Sequence, residues 1–292
     1  MAVTASALPF IGPAKAVAAA PANKSYKTLG FSKPFQHLKW DETADLAAQV
    51  GWDGIECPVR QGGQILPERV EEDLPKYVAA LRKRNLELPI IATDIFNATG
   101  AHTEKVLRTA SKLGIKTYRI AHLNYNETEP IPPQVNRIRS GLRELLDLNR
   151  ELGLCAVYEN HSGRNSVGGP VWDLIEMMRD LDPQFYGICF DIGHATIDGG
   201  TAWPTNFRLT QPMLKSVYVK DFIWKKTSSE WKAEWCPLGD GMIDKSFFRM
   251  LKKTSFSGPI LQFHEYPVGS GEQMISAFKK DLATLKRWMA EA

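Results

Sequence analysis

The chain has 292 residues, a formal net charge of +3, and 43% hydrophobic and 24% charged residues. That balance excludes a disordered, collagen-like or coiled-coil chain, and with no basic run nothing points to nucleic acid as a partner. No apolar stretch approaches the roughly 20 residues of a membrane helix, and four scattered cysteines, Cys57, Cys155, Cys189 and Cys236, suit neither a disulfide framework nor a zinc cluster.

Residues 1–23 stand apart, rich in Ala and small side chains, with A-x-A steps within 16–20 but no positive start. They read either as the remnant of a signal peptide, which implies a periplasmic or secreted protein, or as a tail on a cytoplasmic one. A single domain is expected over 24–292.

From Thr28 onward strands and helices alternate. Thr28–Phe31 is the first strand, followed by an amphipathic helix over Asp41–Val50 that stops at Gly51. Gly54–Val59 is the second strand and Pro67–Asn85 its helix, with Pro at the start. Leu88–Ile95 is the third strand, with a helix over Thr103–Leu113. The fourth is Lys116–Leu123, with a helix over Pro133–Leu152 stopped by Gly153. The fifth begins at Leu154–Tyr158 and precedes a helix over Pro170–Leu181. Tyr186–Ile192 and Ser216–Phe222 are the sixth and seventh strands. A helix over Asp244–Lys253, the eighth strand Pro259–Phe263 and a closing helix Glu272–Glu291 complete the chain. Near-continuous apolar strands separated by helices indicate a parallel sheet buried on both faces. Eight such strands predict a (β/α)8 TIM barrel. A doubly wound sheet is the alternative, but the first strand lacks its glycine-rich phosphate turn.

Barrel active sites lie at the C-terminal ends of the strands, and there the polar residues gather. The second strand runs into Arg60, the fifth into Glu159-Asn160-His161, the sixth into Asp191-Ile192-Gly193-His194, the seventh into Lys220-Asp221 and the eighth into His264-Glu265. Burying Glu159, Asp191 and Glu265 together is costly through desolvation and like-charge repulsion. A divalent cation offsets that cost, and this donor set suits a hard or borderline ion.

These strand ends resemble the xylose isomerase-like, or sugar phosphate isomerase/epimerase, TIM-barrel superfamily. The matching pieces are Glu-Asn-His of the fifth strand, Asp-x-Gly-His of the sixth, Val-Lys-Asp of the seventh and the Glu of the eighth. Phe31–Pro34, Lys220–Trp224, Pro237–Met242 and Glu265–Pro267 look closest to an often exported branch. The resemblance implies one divalent metal (Mn, Mg or Co) on Glu159, Asp191 and Glu265. The superfamily's His-x-Lys-Asp departs here, with Tyr218 at the His position. Tyr218 itself, water or a nearby His then completes the shell, or the metal is weakly held.

The resemblance also implies a small carbohydrate substrate and proton abstraction α to a carbonyl, as in aldose–ketose isomerisation, epimerisation or β-elimination from a 3-keto-glycoside. Glu159 and Glu265 are the candidate bases, His161 the acid and Lys220 an oxyanion holder. Arg60, His194, Asn160 and Trp224 are candidates for substrate contact, with Arg119 and His122 of the fourth strand behind them. His264 should point away from Glu265 in a regular strand. Trp203, Trp224, Trp231 and Trp235 flank the seventh strand, where they stack on sugar rings, pack a lid or make a homo-oligomer contact. Six histidines spread one per region argue against a multi-metal nuclease. A sugar-binding barrel that lost its metal when His became Tyr218 is the other reading.

Overall fold

The computed structural model describes residues 25–292, so the export reading, which rests on 1–23, lies outside the described residues. Eight parallel strands form the barrel: β1 Thr28–Phe31, β2 Gly54–Val59, β3 Glu87–Thr93, β4 Thr117–Arg119, β5 Cys155–Glu159, β6 Tyr186–Asp191, β7 Leu214–Val219 and β10 Ile260–Gln262. They close in the order β1-β10-β7-β6-β5-β4-β3-β2. This is the TIM barrel expected from the sequence. Helices α1 Trp40–Val50, α2 Val70–Arg82, α3 Thr103–Lys112, α4 Ile131–Glu144, α5 Leu146–Leu152 and α6 Trp172–Met178 follow the first five strands. After β6 come α7 Ile192–Gly199 and α8 Trp203–Thr210, and α9 Ser246–Lys252 and α10 Glu272–Glu291 flank β10. No described helix is long and apolar enough to cross a membrane.

Alternation along the strands divides the core in two. Leu29, Phe31, Ile90, Ala92, Val157, Cys189, Tyr218, Leu261 and Phe263 fill the barrel interior. The opposite faces pack against the helices, where α10 buries Met274, Phe278, Leu282 and Leu285. Helix ends follow local chemistry: Glu42 accepts from the Lys39 N–H at 2.9 Å, and Gly51 ends α1 with φ +91°.

Four differences separate the structure from the sequence expectation. The fourth strand spans only Thr117–Arg119, and the helix expected over Pro133–Leu152 breaks into α4 and α5 at Leu145. Helices α7 and α8 fill the stretch between the sixth and seventh strands, where no helix was expected. The seventh strand stops at Val219, and the chain then makes an antiparallel hairpin, β8 Asp221–Lys226 and β9 Trp231–Cys236. Asp221 fixes that exit. Its carboxylate accepts from the N–H groups of Phe222, Gly239, Gly241 and Ile243 at 2.9–3.1 Å, folding the Pro-Leu-Gly-Asp-Gly loop around it.

Candidate active site

The C-terminal mouth brings the predicted carboxylates together around Lys220. The Lys220 ammonium is 2.9 Å from Glu265 Oε1, 3.3 Å from Asp191 Oδ2 and 3.9 Å from Glu159 Oε1. It also lies 4.6 Å from the centre of the Trp235 ring. Burial alone would lower the Lys220 pKa, but the charges of Asp191, Glu265 and Glu159 outweigh it and raise it. Burial pushes the Asp191 carboxyl up, with Lys220 opposing. Burial also works to raise Glu265, yet Lys220 holds it below the usual range, and its side chain is the most open of the three, at 28% exposed.

The Asp-x-Gly-His segment has a mechanical role. Asp191 caps α7, its Oδ1 accepting from the His194 N–H at 2.9 Å, which sets the Asp191 and His194 side chains side by side. Gly193 between them is required because a Cβ there would lie 2.7 Å from the Lys220 carbonyl oxygen. Ser162 Oγ meets His194 Nδ1 at 2.7 Å and orients the ring. Burial, with Lys220 and two neighbouring histidines, keeps the His194 pKa well below normal, so the ring is neutral.

Glu159 Oε1, Asp191 Oδ2 and His194 Nε2 are buried without hydrogen-bond partners. One ligating atom from each of these residues lies within 4.8 Å of the others. Two carboxylate oxygens and a neutral imidazole nitrogen converging in this way fit a divalent ion. The trio differs from the expected one: His194, expected to bind substrate, takes the place of Glu265, which lies across Lys220. Tyr218 does not complete the shell. Its hydroxyl donates to Glu56 Oε1 at 3.0 Å inside the barrel, and its ring stacks on Phe263 at 4.5 Å.

Other candidates are placed as follows. His161 packs tilted against His194, with ring centres 3.9 Å apart, and against His122 at 4.5 Å, so three histidines that read as scattered are gathered by converging strand ends. The His161 Nδ1–H donates to the Ser162 carbonyl at 2.9 Å, leaving Nε2 as the position for proton transfer. Asn160 is 1% exposed, donating to the Asp191 carbonyl at 3.0 Å and accepting from the Asp191 N–H at 2.7 Å. It locks the end of β6 rather than facing substrate. Arg60 lines an inner pocket of about 200 Å³ with Arg119, His122, Glu159, His161 and Glu265. Trp224, Trp231 and Trp235 line an open outer cleft of about 1020 Å³. Trp203 is instead buried against Phe247, which removes it from any stacking role.

The sequence reading missed Glu56 and underrated Arg119. Arg119 joins two strands' acids, with Nε 3.0 Å from Glu56 Oε1 and Nη1 hydrogen-bonded to Glu159 Oε2. Burial alone would depress the Arg119 pKa, but Glu56 and Glu159 raise it well above normal. The guanidinium is thus a fixed charge that orients Glu159 from below. A lone Glu within the buried run Gly54-Ile55-Glu56-Cys57 was the available signal.

With this geometry in place, the family is decided by sequence. The Xylose isomerase-like TIM barrel model matches residues 44–288. The chain belongs to that family. An inosose dehydratase of Lacticaseibacillus casei is 28% identical over 137 residues, which cover 43% of this chain and 45% of that relative. The match thus spans less than half the length of that protein. Among solved structures, a 3-keto-D-glucoside 4-epimerase from E. coli is 15% identical, with a TM-score of 0.66 over 90% of this chain and 100% of its own. A xylose isomerase-like barrel from Mycobacterium smegmatis in complex with magnesium is 14% identical, with a TM-score of 0.67 over 91% and 97%. At such identities these structures share the fold.

Proposed function

We propose that the protein is a carbohydrate enzyme that removes a proton α to a carbonyl, as a sugar isomerase or epimerase or as a β-eliminating lyase of 3-keto-glycosides. The single observation that carries this reading is the convergence of Glu159, Asp191 and His194, one ligating atom of each within 4.8 Å of the others and each with a buried atom that has no hydrogen-bond partner, next to a polar pocket. The inosose dehydratase and the 3-keto-D-glucoside 4-epimerase act, by their names, on sugar-like ketones and support the substrate class.

Glu159, Asp191 and His194 would hold a divalent ion, with Glu265 near it; such an ion supplies a Lewis acid for a ketone oxygen. The chain's own groups do the proton work. Glu265, kept ionised by Lys220 and the most open carboxylate, takes the carbon-bound proton, and the electron pair moves into the carbonyl. Lys220 and Arg60 carry positive charge toward the resulting enediolate. In an epimerase or isomerase a proton returns to carbon, from Glu159 or Glu265. In a lyase the electron pair expels the β-oxygen and His161 supplies its proton through Nε2. General acid–base steps of this kind contribute typically about 10²–10⁴-fold.

The test is incubation with a 3-keto-glucoside in D₂O, following deuterium at the α-carbon and release of the aglycone by NMR. Exchange with release identifies the lyase, and exchange without release the epimerase or isomerase. A second reading has a specific observation behind it: the Lys220 ammonium and the Arg119 guanidinium already offset part of the charge of the three carboxylates. A sugar-binding barrel without a metal is that reading, and neither exchange nor divalent-ion binding would establish it.

A further inference from the structure

The hairpin β8–β9 has one aromatic face. Directly paired residues of an antiparallel ladder point to the same side, and the register pairs Phe222 with Trp235, Trp224 with Ala233 and Lys226 with Trp231. Trp224, Trp231, Ala233 and Trp235 line the outer cleft on that side. On the other side the Lys225 ammonium pairs with Glu234 at 2.9 Å, in solvent. Trp231 is 62% exposed and Trp224 38% exposed, a costly way to leave two indoles in a monomer unless they are used.

The strip starts at the reacting groups. Trp235 stands edge-on to His194, with ring centres 5.1 Å apart, and packs beside Lys220. Trp231 lies four residues further along the strand, about 13 Å at roughly 3.3 Å per residue. The outer cleft and the inner pocket share His161 and Glu265, so one molecule can occupy both. The inner pocket, at about 200 Å³, has room for little more than one sugar ring, whereas the cleft has about 1020 Å³.

We infer that the outer cleft is a subsite for the second ring of a glycoside, stacked by its flat C–H or aromatic face on Trp231 and Trp224. This deepens the proposed reaction and rests on it: the ring on the strip is the part a lyase would release and an epimerase would retain. It sets the substrate class as two-ring glycosides over free monosaccharides.

Calorimetric titration with methyl β-D-glucoside, phenyl β-D-glucoside and cellobiose tests it. None has a ketone, so binding is read apart from the chemistry. The two-ring compounds should bind wild-type protein at least tenfold more tightly than the methyl glucoside. Trp231→Ala and Trp224→Ala should each remove most of that preference, and Trp231→Phe should retain part of it. Equal affinities, no binding of either two-ring compound, or an undiminished preference in both alanine variants overturns the subsite. So does a Trp231→Ala protein that keeps the preference but changes size on gel filtration, which makes the strip an oligomer contact. A two-ring preference without deuterium exchange from any keto-glycoside would keep the subsite and overturn the reaction.

Discussion

Among the described residues, two buried histidine–carboxylate clusters lie on opposite sides of the barrel wall, and they differ in what they face. At the mouth, His194 meets Glu159 and Asp191, beside a pocket and a cleft. Behind β10, His264 Nε2 lies 3.5 Å from Asp281 Oδ2 of α10, and Tyr266 donates to that same oxygen at 2.7 Å. His264 packs on Phe278, with ring centres 4.2 Å apart, and none of these residues lines the pocket or the cleft. Neighbours in sequence just beyond β10, His264 and Glu265 serve different clusters: His264 packs toward α10, and Glu265 meets Lys220 at the mouth. Both clusters hold buried polar atoms without hydrogen-bond partners. Among the described residues the mouth adds a buried cation and open space, which the cluster behind β10 lacks.

The largest expected contrast is in activity. Asp191→Asn keeps the cap on α7 but loses a carboxylate at the mouth, and exchange at the α-carbon should fall by about 10²–10⁴-fold. Asp281→Asn should leave that rate within about twofold of wild type. Side-by-side deuterium-exchange assays check both, and equal losses would erase the distinction between the clusters.

Next is the buried cation. Lys220→Met takes the counter-charge from Asp191 and Glu265 and leaves Glu159 to Arg119 alone, which costs about 3–5 kcal/mol. Thermal melts should show this loss in chelator and its partial recovery in millimolar Mn²⁺. A melt insensitive to both substitution and ion would mean that Lys220 does not hold the acids together.

The rear cluster predicts a pH effect on stability alone. Burial raises Asp281 to about 6, so its folded form binds a proton more tightly than the unfolded chain. Folding is therefore penalised above pH 6, by about 3 kcal/mol at 1.36 kcal/mol per unit, and relieved as pH falls from 6 towards 4. Burial lowers His264 to about 3, which works oppositely: stability falls as pH drops through 6.5 towards 3. The two trends offset each other between pH 6 and 4 in the wild type. Asp281→Asn should raise stability at pH 8 and make it fall with acid from about pH 6.5, by denaturant titration. A variant as flat as wild type over that range would refute the opposed pair.

The smallest effect concerns Tyr218. Tyr218→Phe removes one hydrogen bond to Glu56, which still has Arg119, for about 1–2 kcal/mol. Divalent-ion affinity should not change, because the hydroxyl points into the barrel. A tenfold loss of affinity would return Tyr218 to the metal shell.

Much of this was legible because it rests on local pattern. Apolar strands such as Gly54–Val59 and stops such as Gly51 and Gly153 carried the barrel. Polar residues at its strand ends then carried Glu159, Asp191, His161 and Lys220. Alternation alone sent His264 outward. Long-range partners were hidden: Glu56 and Arg119 become a pair only when β2 and β4 face each other across the interior. His194 joins Glu159 and Asp191 because the α7 cap turns it inward, which a strand-only reading of Asp-x-Gly-His misses. The hairpin was readable in principle, since Trp231, Ala233 and Trp235 alternate with Lys232 and Glu234. Reading Ser216–Phe222 as one strand absorbed its first residues.

Calorimetric titration of chelated protein with Mn²⁺ tests most directly whether the mouth cluster is a built site and the rear one a lock. The account predicts one ion per chain, binding lost in Asp191→Asn and unchanged in Asp281→Asn. No binding by the wild type, or binding that survives Asp191→Asn, would contradict it.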